Sequence, residues 1–344
     1  MSLPIRPPFA PMEALLVDEI PTGPGWQYEP KWDGFRCLIF RDGSKVHLQS
    51  KGGQPLGRYF PELVEAAQRL KANKFVLDGE IAIPVGDRLS FDELLLRIHP
   101  AESRVKKLSA EHPGIFIAFD LLVDAGGKSL LKETLRQRRP KLEAFAKKYF
   151  PVDLRLRLSP AATDVARARK WFKTVGGDLD GLIAKRLDAD YRSGERTAVQ
   201  KVKVARTADC VIGGFRYASK EKVVGSLLLG LYDEDGLLHH VGFCSGLKSD
   251  QRRTLLAKLQ PLIKPPGFTG HAPGGPSRWA TERSTAWEPL QPKLVIEVSY
   301  DHFTGGRFRH GTKLIRWRPD KAPTQCRMDQ VAPVGKGSLA LLKS

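Results

Sequence analysis

The chain has 344 residues, enough for two domains that each bury a hydrophobic core. Its 56 lysines and arginines against 38 acidic residues give a net charge of +18, which favours a polyanionic partner such as nucleic acid. Four scattered cysteines without a CxxC pair argue against a disulfide scaffold and a thiolate zinc site. We see neither a membrane-spanning apolar run nor a signal-peptide pattern, and therefore expect a cytoplasmic protein.

The first predicted elements are a β-hairpin and an amphipathic helix. An apolar strand from 35 to 40 and an alternating strand from 45 to 50 flank an Asp-Gly pair, which is typical of a hairpin turn. Residues 61 to 72 carry apolar side chains at helical spacing behind a proline, which predicts a helix with one buried face. Lys31 lies just before the first strand of the hairpin.

Strands and helices then alternate up to about residue 205, which predicts a mixed α and β domain over residues 1–205. Side chains alternate along a strand, so Asp78 and Glu80 share one face of theirs, and Lys201 and Lys203 share one face of another. The predicted elements are strands at 75–83, 115–123, 180–186 and 199–206, a helix with a capping box at Ser90 and Glu93, and a helix at 163–175 that ends at Gly176-Gly177.

The pattern of elements in residues 206–344 predicts a second domain. Three strands, a helix and two strands follow one another, which is the order of a five-stranded OB barrel, a fold often used to bind nucleic acids. The strands are predicted at 209–217, 225–233, 237–246, 294–300 and 313–318, and the helix at about 250–262 with Ser249 as its cap.

Charged residues interrupt several of the apolar β segments. Asp-Gly pairs recur at 33–34, 78–79 and 180–181, and each of them taken singly is explained by a strand bulge. A lysine such as Lys31 acts as a nucleophile only when its amine is unprotonated, which requires neighbours that lower its pKa. Candidate neighbours are Arg36, Lys185, Lys201 and Lys203.

Seven segments resemble, in order and spacing, the motif series of the covalent nucleotidyltransferases, which comprise ATP-dependent DNA ligases, RNA ligases and mRNA capping enzymes. The resemblance covers nearly the whole chain and is greatest to the small bacterial ligases of the ligase C type. It implies an α+β fold, with an ATP-grasp-like nucleotidyltransferase core in an adenylation domain (1–205) and a C-terminal OB-fold β-barrel (206–344). The segments are KWDGFR at 31–36, SKGG at 50–53, DGE at 78–80, FDLL at 119–122, DGLIAK at 180–185, KVK at 201–203 and RWRPDK at 316–321.

The resemblance also implies roles for individual residues. Lys31 would be the catalytic nucleophile that takes AMP from ATP, and Lys51 and Arg192 would bind DNA. Asp180 and Glu80 would bind Mg²⁺, with Mn²⁺ as a substitute. Asp180 stands where the family usually has glutamate, and Lys51 where it usually has arginine. The nucleotide-binding residues would be Glu29, Arg36, Glu80, Phe119, Lys185, Lys201, Lys203, Arg316, Arg318 and Lys321.

The implied activity is ATP-dependent sealing of DNA nicks through lysyl-AMP and adenylylated DNA, in repair and recombination. Nicked duplex DNA would be the substrate, and a repair polymerase would be a partner. The protein would be a monomer that is associated with the bacterial nucleoid and not with a membrane. An RNA ligase and a capping-type guanylyltransferase are alternatives, since both would share Lys31 and its motifs. A non-catalytic nucleic-acid-binding relative is a further alternative, against which the intact Lys31 and Glu80 argue.

Overall fold

The computed structural model describes residues 2–151, 155–175, 179–203, 206–219, 221–248, 250–274, 286–332 and 337–342. The chain forms two compact units. Unit 1 consists of residues 1–203 and 333–344, and unit 2 of residues 204–332. Within the described ranges, no helix is both long enough and apolar enough to cross a membrane.

Unit 1 is built from two main sheets and a two-stranded sheet (Pro84–Val85 with Arg88–Leu89), with helices packed on them, as predicted for a mixed α and β domain. The strands are β1 (Leu15–Leu16), β2 (Trp26–Lys31), β3 (Phe35–Asp42), β4 (Lys45–Ser50), β5 (Lys74–Ala82), β6 (Pro84–Val85), β7 (Arg88–Leu89), β8 (Ile115–Val123), β9 (Leu156–Leu158), β10 (Gly181–Arg186) and β11 (Val199–Lys203). The larger sheet has the strand order β4-β3-β5-β8-β9 and the smaller one β1-β11-β10-β2. The helices are α1 (Pro61–Arg69), α2 (Phe91–Leu96), α3 (Glu102–Glu111), α4 (Leu135–Tyr149) and α5 (Val165–Val175).

The local predictions for the larger sheet are confirmed. Strands β3 and β4 form the expected hairpin, in which Asp42 pairs with Lys45 and Gly43 has a φ of +62°. Helix α1 begins at Pro61 and ends three residues earlier than predicted, because the backbone at Leu70 is already extended. The side chain of Ser90 caps α2 by accepting a hydrogen bond from the Glu93 amide at 3.2 Å. The predicted capping box is only half formed, because the Ser90 amide donates to the Ile83 carbonyl at 2.8 Å and not to the Glu93 side chain.

The glycines of the Asp-Gly pairs lie where neighbouring chain approaches closely. A Cβ on Gly34 would lie 2.1 Å from the carbonyl oxygen of Ile81, and a Cβ on Gly181 would lie 1.9 Å from that of Val202. A side chain at either position would therefore push the paired strands apart. The two glycines keep the preceding aspartates, Asp33 and Asp180, at the ends of closely packed strands.

Two helices of unit 1 were not predicted, and one predicted helix end cannot be compared. Helix α3 has one buried residue and α4 carries seven charged residues and an internal proline, Pro140, so the apolar pattern of both is weak. Helix α4 instead packs on β8 through Leu142, Phe145 and the buried Arg138. The predicted end of the next helix, Gly176-Gly177, lies outside the described residues.

Unit 2 has the strand order β14-β13-β12-β16-β19, and β15 also pairs with β12. A parallel bridge between Cys244 and Thr312 joins the end of β14 to the start of β19 and closes the sheet on itself. The predicted order of strands and helix is confirmed, while the expected cap Ser249 lies outside the described residues. The elements are β12 (Arg206–Tyr217), β13 (Val224–Tyr232), β14 (Leu238–Cys244), α6 (Gln251–Leu259), β15 (Glu288–Pro289), β16 (Val295–Tyr300), β17 (Phe303–Thr304), β18 (Arg307–Phe308) and β19 (Lys313–Trp317).

The C-terminal 3-10 turn, Ser338–Leu342, belongs to unit 1, although residues 206–344 are predicted to form the second domain. The amide of Gly337 donates to the Asp87 carboxylate at 3.0 Å. Leu341 is buried in the apolar cluster that contains Trp32 and Trp171. Burial of the apolar side chains of the turn against this cluster explains why the chain end packs on unit 1.

Candidate active site

A cavity of about 210 Å³ lies in unit 1, and strands of both sheets line it. The smaller sheet supplies residues of β2, β10 and β11, and the larger sheet supplies residues of β3, β5 and β8. The segment before β1, the residues that follow β2 and β4, and Tyr191 from the loop between β10 and β11 complete the wall. Eight of the predicted site residues line this cavity: Glu29, Lys31, Arg36, Lys51, Glu80, Phe119, Lys185 and Lys201.

The amine of Lys31 is held by the carboxylate of Asp180. Antiparallel pairing of β2 with β10 places Lys31 opposite Gly181. The side chains of Lys31 and Asp180 therefore meet where β2 ends and β10 begins. The Lys31 Nζ atom contacts Asp180 Oδ2, and the Nζ atom of Lys203 lies 3.9 Å from Oδ1 of the same carboxylate. The carboxylate therefore contacts the predicted nucleophile and lies close to a second amine.

An aromatic face and two cations form another side of the cavity. Arg36 donates from Nε and Nη2 to the two oxygens of the buried Asp78, at 2.6 Å each. The Arg36 guanidinium carbon lies 4.7 Å from the ring centre of Phe119, and the Lys185 amine lies 4.6 Å from it. A partly exposed ring flanked by cations is suited to stacking on a nucleobase.

Glu29 and Lys185 form a buried ion pair in the cavity wall. The Lys185 Nζ atom lies 2.8 Å from Glu29 Oε2, and Gln27 donates to the other carboxylate oxygen at 2.8 Å. All three side chains are buried. Their polar atoms are held in fixed directions, which is what selective recognition of a polar base edge requires.

Amines crowd the part of the cavity around Lys201. Burial lowers the pKa of Lys201, and the positive charges of Lys31, Lys51 and Lys203 lower it further. These charges repel one another, so an anion bound among them would be stabilised. This part of the cavity therefore suits phosphate groups.

Three residues that support Arg36 were not predicted as site residues. The hydroxyl of Tyr191 donates to Asp78 at 2.6 Å and accepts from the amide of Met12 at 3.0 Å. Arg36 also donates to the Met12 carbonyl at 3.1 Å. Asp78 shares a strand face with the predicted site residue Glu80, and this shared face could have indicated that Asp78 also belongs to the site. Tyr191 and Met12 lie in irregular segments, where no periodicity indicates a partner.

Four further predicted site residues form ion pairs within their own units. Arg192 is exposed and pairs with Asp190 at 3.0 Å. The other three are in unit 2, where each pairs with an acidic residue of the same unit. Arg316 binds Glu297 at 2.6 Å, Arg318 binds Asp209 at 2.8 Å, and Lys321 binds Asp209 at 2.7 Å.

Burial raises the pKa of the Glu80 carboxyl from an ordinary 4.5 to about 8, although Arg36 and Lys31 act in the opposite direction. At pH values between these two pKa values, the unfolded chain binds fewer protons than the folded one. The contribution of Glu80 to stability therefore falls as the pH rises. We expect Glu80→Gln to stabilise the protein at pH 9 by roughly 1–3 kcal/mol, less than the full shift because the side chain is partly exposed.

Urea unfolding at pH 4 and pH 9 measures this effect. Glu80→Gln should change the free energy of unfolding little at pH 4, where the glutamate is protonated in both states. Glu65→Gln, on the exposed side of α1, is the matched control and should show no such pH dependence. Equal effects of Glu80→Gln at both pH values would contradict the raised pKa.

Comparison with known proteins identifies the family. The model described as ATP dependent DNA ligase domain matches residues 11–203, and ATP dependent DNA ligase C terminal region matches residues 220–321. DNA ligase C1 of Mycolicibacterium smegmatis is 45% identical over 343 residues, covering 96% of each chain.

A more distant relative is the "Multifunctional non-homologous end joining DNA repair protein LigD" from Mycobacterium tuberculosis. It is 31% identical to this chain, and the match covers 87% of this chain and 37% of LigD. A solved structure from work on Lig E DNA ligases covers 89% of this chain and 100% of its own at 16% identity and a TM-score of 0.52, a likeness of fold alone. The expected nucleotidyltransferase domain and C-terminal domain are thus confirmed. The chain belongs to the ATP-dependent DNA ligases and, within them, to the bacterial ligase C group.

Proposed function

We propose that this ATP-dependent DNA ligase seals nicks between a 3′-hydroxyl and a 5′-phosphate, with Lys31 as the residue that carries AMP. The observation that carries the proposal is the position of Lys31, at the end of β2 against Asp180 and in a cavity with an aromatic face and a cluster of amines. A nucleotide needs a stacking surface for its base and cations for its phosphates, and the cavity offers both.

In the first step the Lys31 amine attacks the α-phosphorus of ATP. An N–P bond forms, the bond to the β-phosphate oxygen breaks, and pyrophosphate leaves. The amine must lose a proton before it attacks, and the Asp180 carboxylate in contact with it is placed to accept that proton. Lys201 and Lys203 neutralise the charge that develops on the phosphate.

The nucleoside part of ATP is held by the rest of the cavity. Phe119 stacks on adenine, and Glu29 with Lys185 recognises its polar edge. Arg36 and Glu80 hold the ribose, and the bidentate bond of Arg36 to Asp78 keeps its guanidinium in place. We also propose that the cations of the segment RWRPDK in unit 2, Arg316, Arg318 and Lys321, bind the leaving pyrophosphate.

Asp180 and Glu80 fit Mg²⁺, because both offer the carboxylate oxygens that this ion prefers. Mg²⁺ commonly takes its remaining ligands from phosphates and water. Bound Mg²⁺, or Mn²⁺ in its place, would neutralise phosphate charge during each transfer.

In the later steps AMP moves from Lys31 to the 5′-phosphate of the nick, and the 3′-hydroxyl then displaces AMP. The first of these steps breaks the N–P bond and restores the lysine amine. The second forms the phosphodiester. Lys51, in the cavity wall, binds the 5′-phosphate of the nick, and the exposed Arg192 binds DNA phosphates. Because these contacts are to phosphate, the binding is insensitive to base sequence.

The cellular setting is also part of the proposal. A role in DNA repair is supported by the name of the LigD relative, and a repair polymerase is the partner we infer. We propose a monomer that acts on nicked duplex DNA in the bacterial cytoplasm, associated with the nucleoid. The net charge of +18 supports attraction to DNA.

Labelling tests the nucleotide and the substrate. We expect ATP labelled at the α-phosphate to leave a labelled band at about the mass of the protein on a denaturing gel, and GTP to leave none. The labelled protein should then seal nicked DNA faster than nicked RNA. A band from GTP would favour the capping-type guanylyltransferase, and preferential sealing of RNA would favour the RNA ligase.

A further inference from the structure

A carboxylate with no assigned role lies between two cations at the rim of the cavity. Glu13 Oε1 lies 3.2 Å from Lys51 Nζ, and Glu13 Oε2 accepts from Arg196 Nε at 2.8 Å. The second guanidinium nitrogen of Arg196, Nη2, lies 2.8 Å from the same oxygen. Glu13 thereby brings together side chains from three distant segments of unit 1.

The carboxylate is held firmly and is ionised. The backbone amide of Glu13 donates to the Glu195 carbonyl at 2.8 Å, which fixes the segment beside the loop that carries Arg196. Hydrogen bonds from Lys51 and Arg196 lower the pKa of the Glu13 carboxyl. The side chains of Lys51 and Arg196 are 56% and 64% exposed, so a large substrate can reach both cations.

These two cations belong to a larger positive cluster. The charges of Lys31, Lys51, Lys203 and Arg196 all contribute to the lowered pKa of Lys201. Asp180 contacts Lys31 and lies near Lys203, while Glu13 pairs with Lys51 and Arg196. The outer part of the cluster therefore has its own counter-ion, separate from the one at the nucleophile.

Carboxylate and phosphate oxygens accept hydrogen bonds from the same lysine and arginine donors. A phosphate that approaches Lys51 thus meets donors that Glu13 already occupies. We propose that Glu13 is an internal counter-ion that competes with DNA phosphate for Lys51 and Arg196 and so weakens phosphate binding at this site. This inference rests on the proposed role of Lys51 in binding the 5′-phosphate of the nick.

The competition has a consequence for release of the product. A terminal phosphate carries nearly two negative charges, whereas the phosphodiester formed by sealing carries one. The product thus competes less well with the carboxylate, and Glu13 regains its two cations. Removal of the Glu13 charge should leave sealed DNA bound more tightly.

The test compares binding of labelled nicked duplexes that carry a 5′-phosphate or a 5′-hydroxyl, with EDTA in place of Mg²⁺ so that no sealing occurs. Glu13→Gln should bind the 5′-phosphate nick roughly three- to tenfold more tightly than wild type, because two exposed ion pairs no longer compete. Its affinity for the 5′-hydroxyl nick should change less than twofold on the same grounds. Sealed duplex should also bind more tightly.

Glu19→Gln is the matched control, since it removes one exposed negative charge from the same N-terminal region. It should change the affinities for the two nicks equally and only slightly. Unchanged or weaker binding of the 5′-phosphate nick by Glu13→Gln would overturn the inference, because a carboxylate that positions the two cations gives that result.

Lys51→Ala separates failure of this inference from failure of the proposed function. If Lys51 binds the 5′-phosphate, this variant loses affinity for the 5′-phosphate nick and not for the 5′-hydroxyl nick. Equal affinity changes for both nicks would remove the proposed role of Lys51, and the counter-ion inference with it. A selective loss in Lys51→Ala combined with no gain in Glu13→Gln would remove the counter-ion inference alone.

Discussion

Replacing Lys31 with alanine should abolish the covalent AMP adduct and lower ATP-dependent nick sealing by at least about 10⁴-fold. The variant lacks the amine that forms the N–P bond, and the buried amine of Lys185 is engaged with Glu29 at 2.8 Å. Incorporation of labelled AMP into the protein and conversion of nicked to sealed duplex measure the two effects. Lys45→Ala, on the exposed end of the β3-β4 hairpin, should retain both activities.

A nick that already carries AMP on its 5′-phosphate distinguishes the nucleophile from a residue that merely holds the fold. Sealing of such DNA needs no lysyl-AMP, so Lys31→Ala should still seal it without ATP, and its thermal stability should remain near that of the wild type. Formation of an AMP adduct by Lys31→Ala would assign the nucleophile to another residue.

Replacing Arg138 with methionine should lower the free energy of unfolding by about 3–5 kcal/mol, because it leaves a buried carboxylate without its cation. Arg138 of α4 binds both oxygens of Asp120 on β8 at 2.9 Å each, and both side chains are at most 2% exposed. Asp120 also lines the nucleotide cavity, so the pair ties a helix to the cavity wall. Urea unfolding at pH 7 measures the change.

The ion pair also has a pH dependence of known sign. Burial by itself would raise the pKa of the Asp120 carboxyl, but the Arg138 charge and its hydrogen bonds outweigh burial and lower it. The contribution of the pair is therefore present above the ordinary aspartate pKa of about 3.9 and is lost as the pH falls through the lower folded value. The difference between wild type and Arg138→Met should shrink in strong acid.

A double variant and a variant of a neighbouring arginine test whether the buried ion pair causes the loss of stability. Asp120→Leu combined with Arg138→Met removes both charges and should recover most of the lost stability. Arg136→Met changes an exposed arginine on the same helix and should cost less than about 0.5 kcal/mol. A loss in Arg136→Met as large as in Arg138→Met would show that the ion pair is not the cause.

The elements of the candidate site could be predicted because their signals are local. The strand at 115–123 is a run of apolar residues and was predicted with the bounds that the structure has. Alternation within β5 put Asp78 and Glu80 on one face before their partners were known. By contrast, the pairing of β3 with β5 across a long connection sets the register that places Arg36 opposite Glu80. The same pairing brings the Arg36 guanidinium to Asp78.

The sequence by itself determined most strands and several helices, because propensity and periodicity act over about ten residues. Its resemblance to the nucleotidyltransferase motifs indicated most, but not all, of the charged residues that line the cavity. Only the tertiary structure decided that Tyr191 supports Asp78, 113 positions away, and that Arg196 meets Glu13, 183 positions away. It also decided that the charged helix α4 is anchored by a buried ion pair. These contacts depend on how sheets and loops pack in three dimensions, and no period or spacing along the chain encodes that packing.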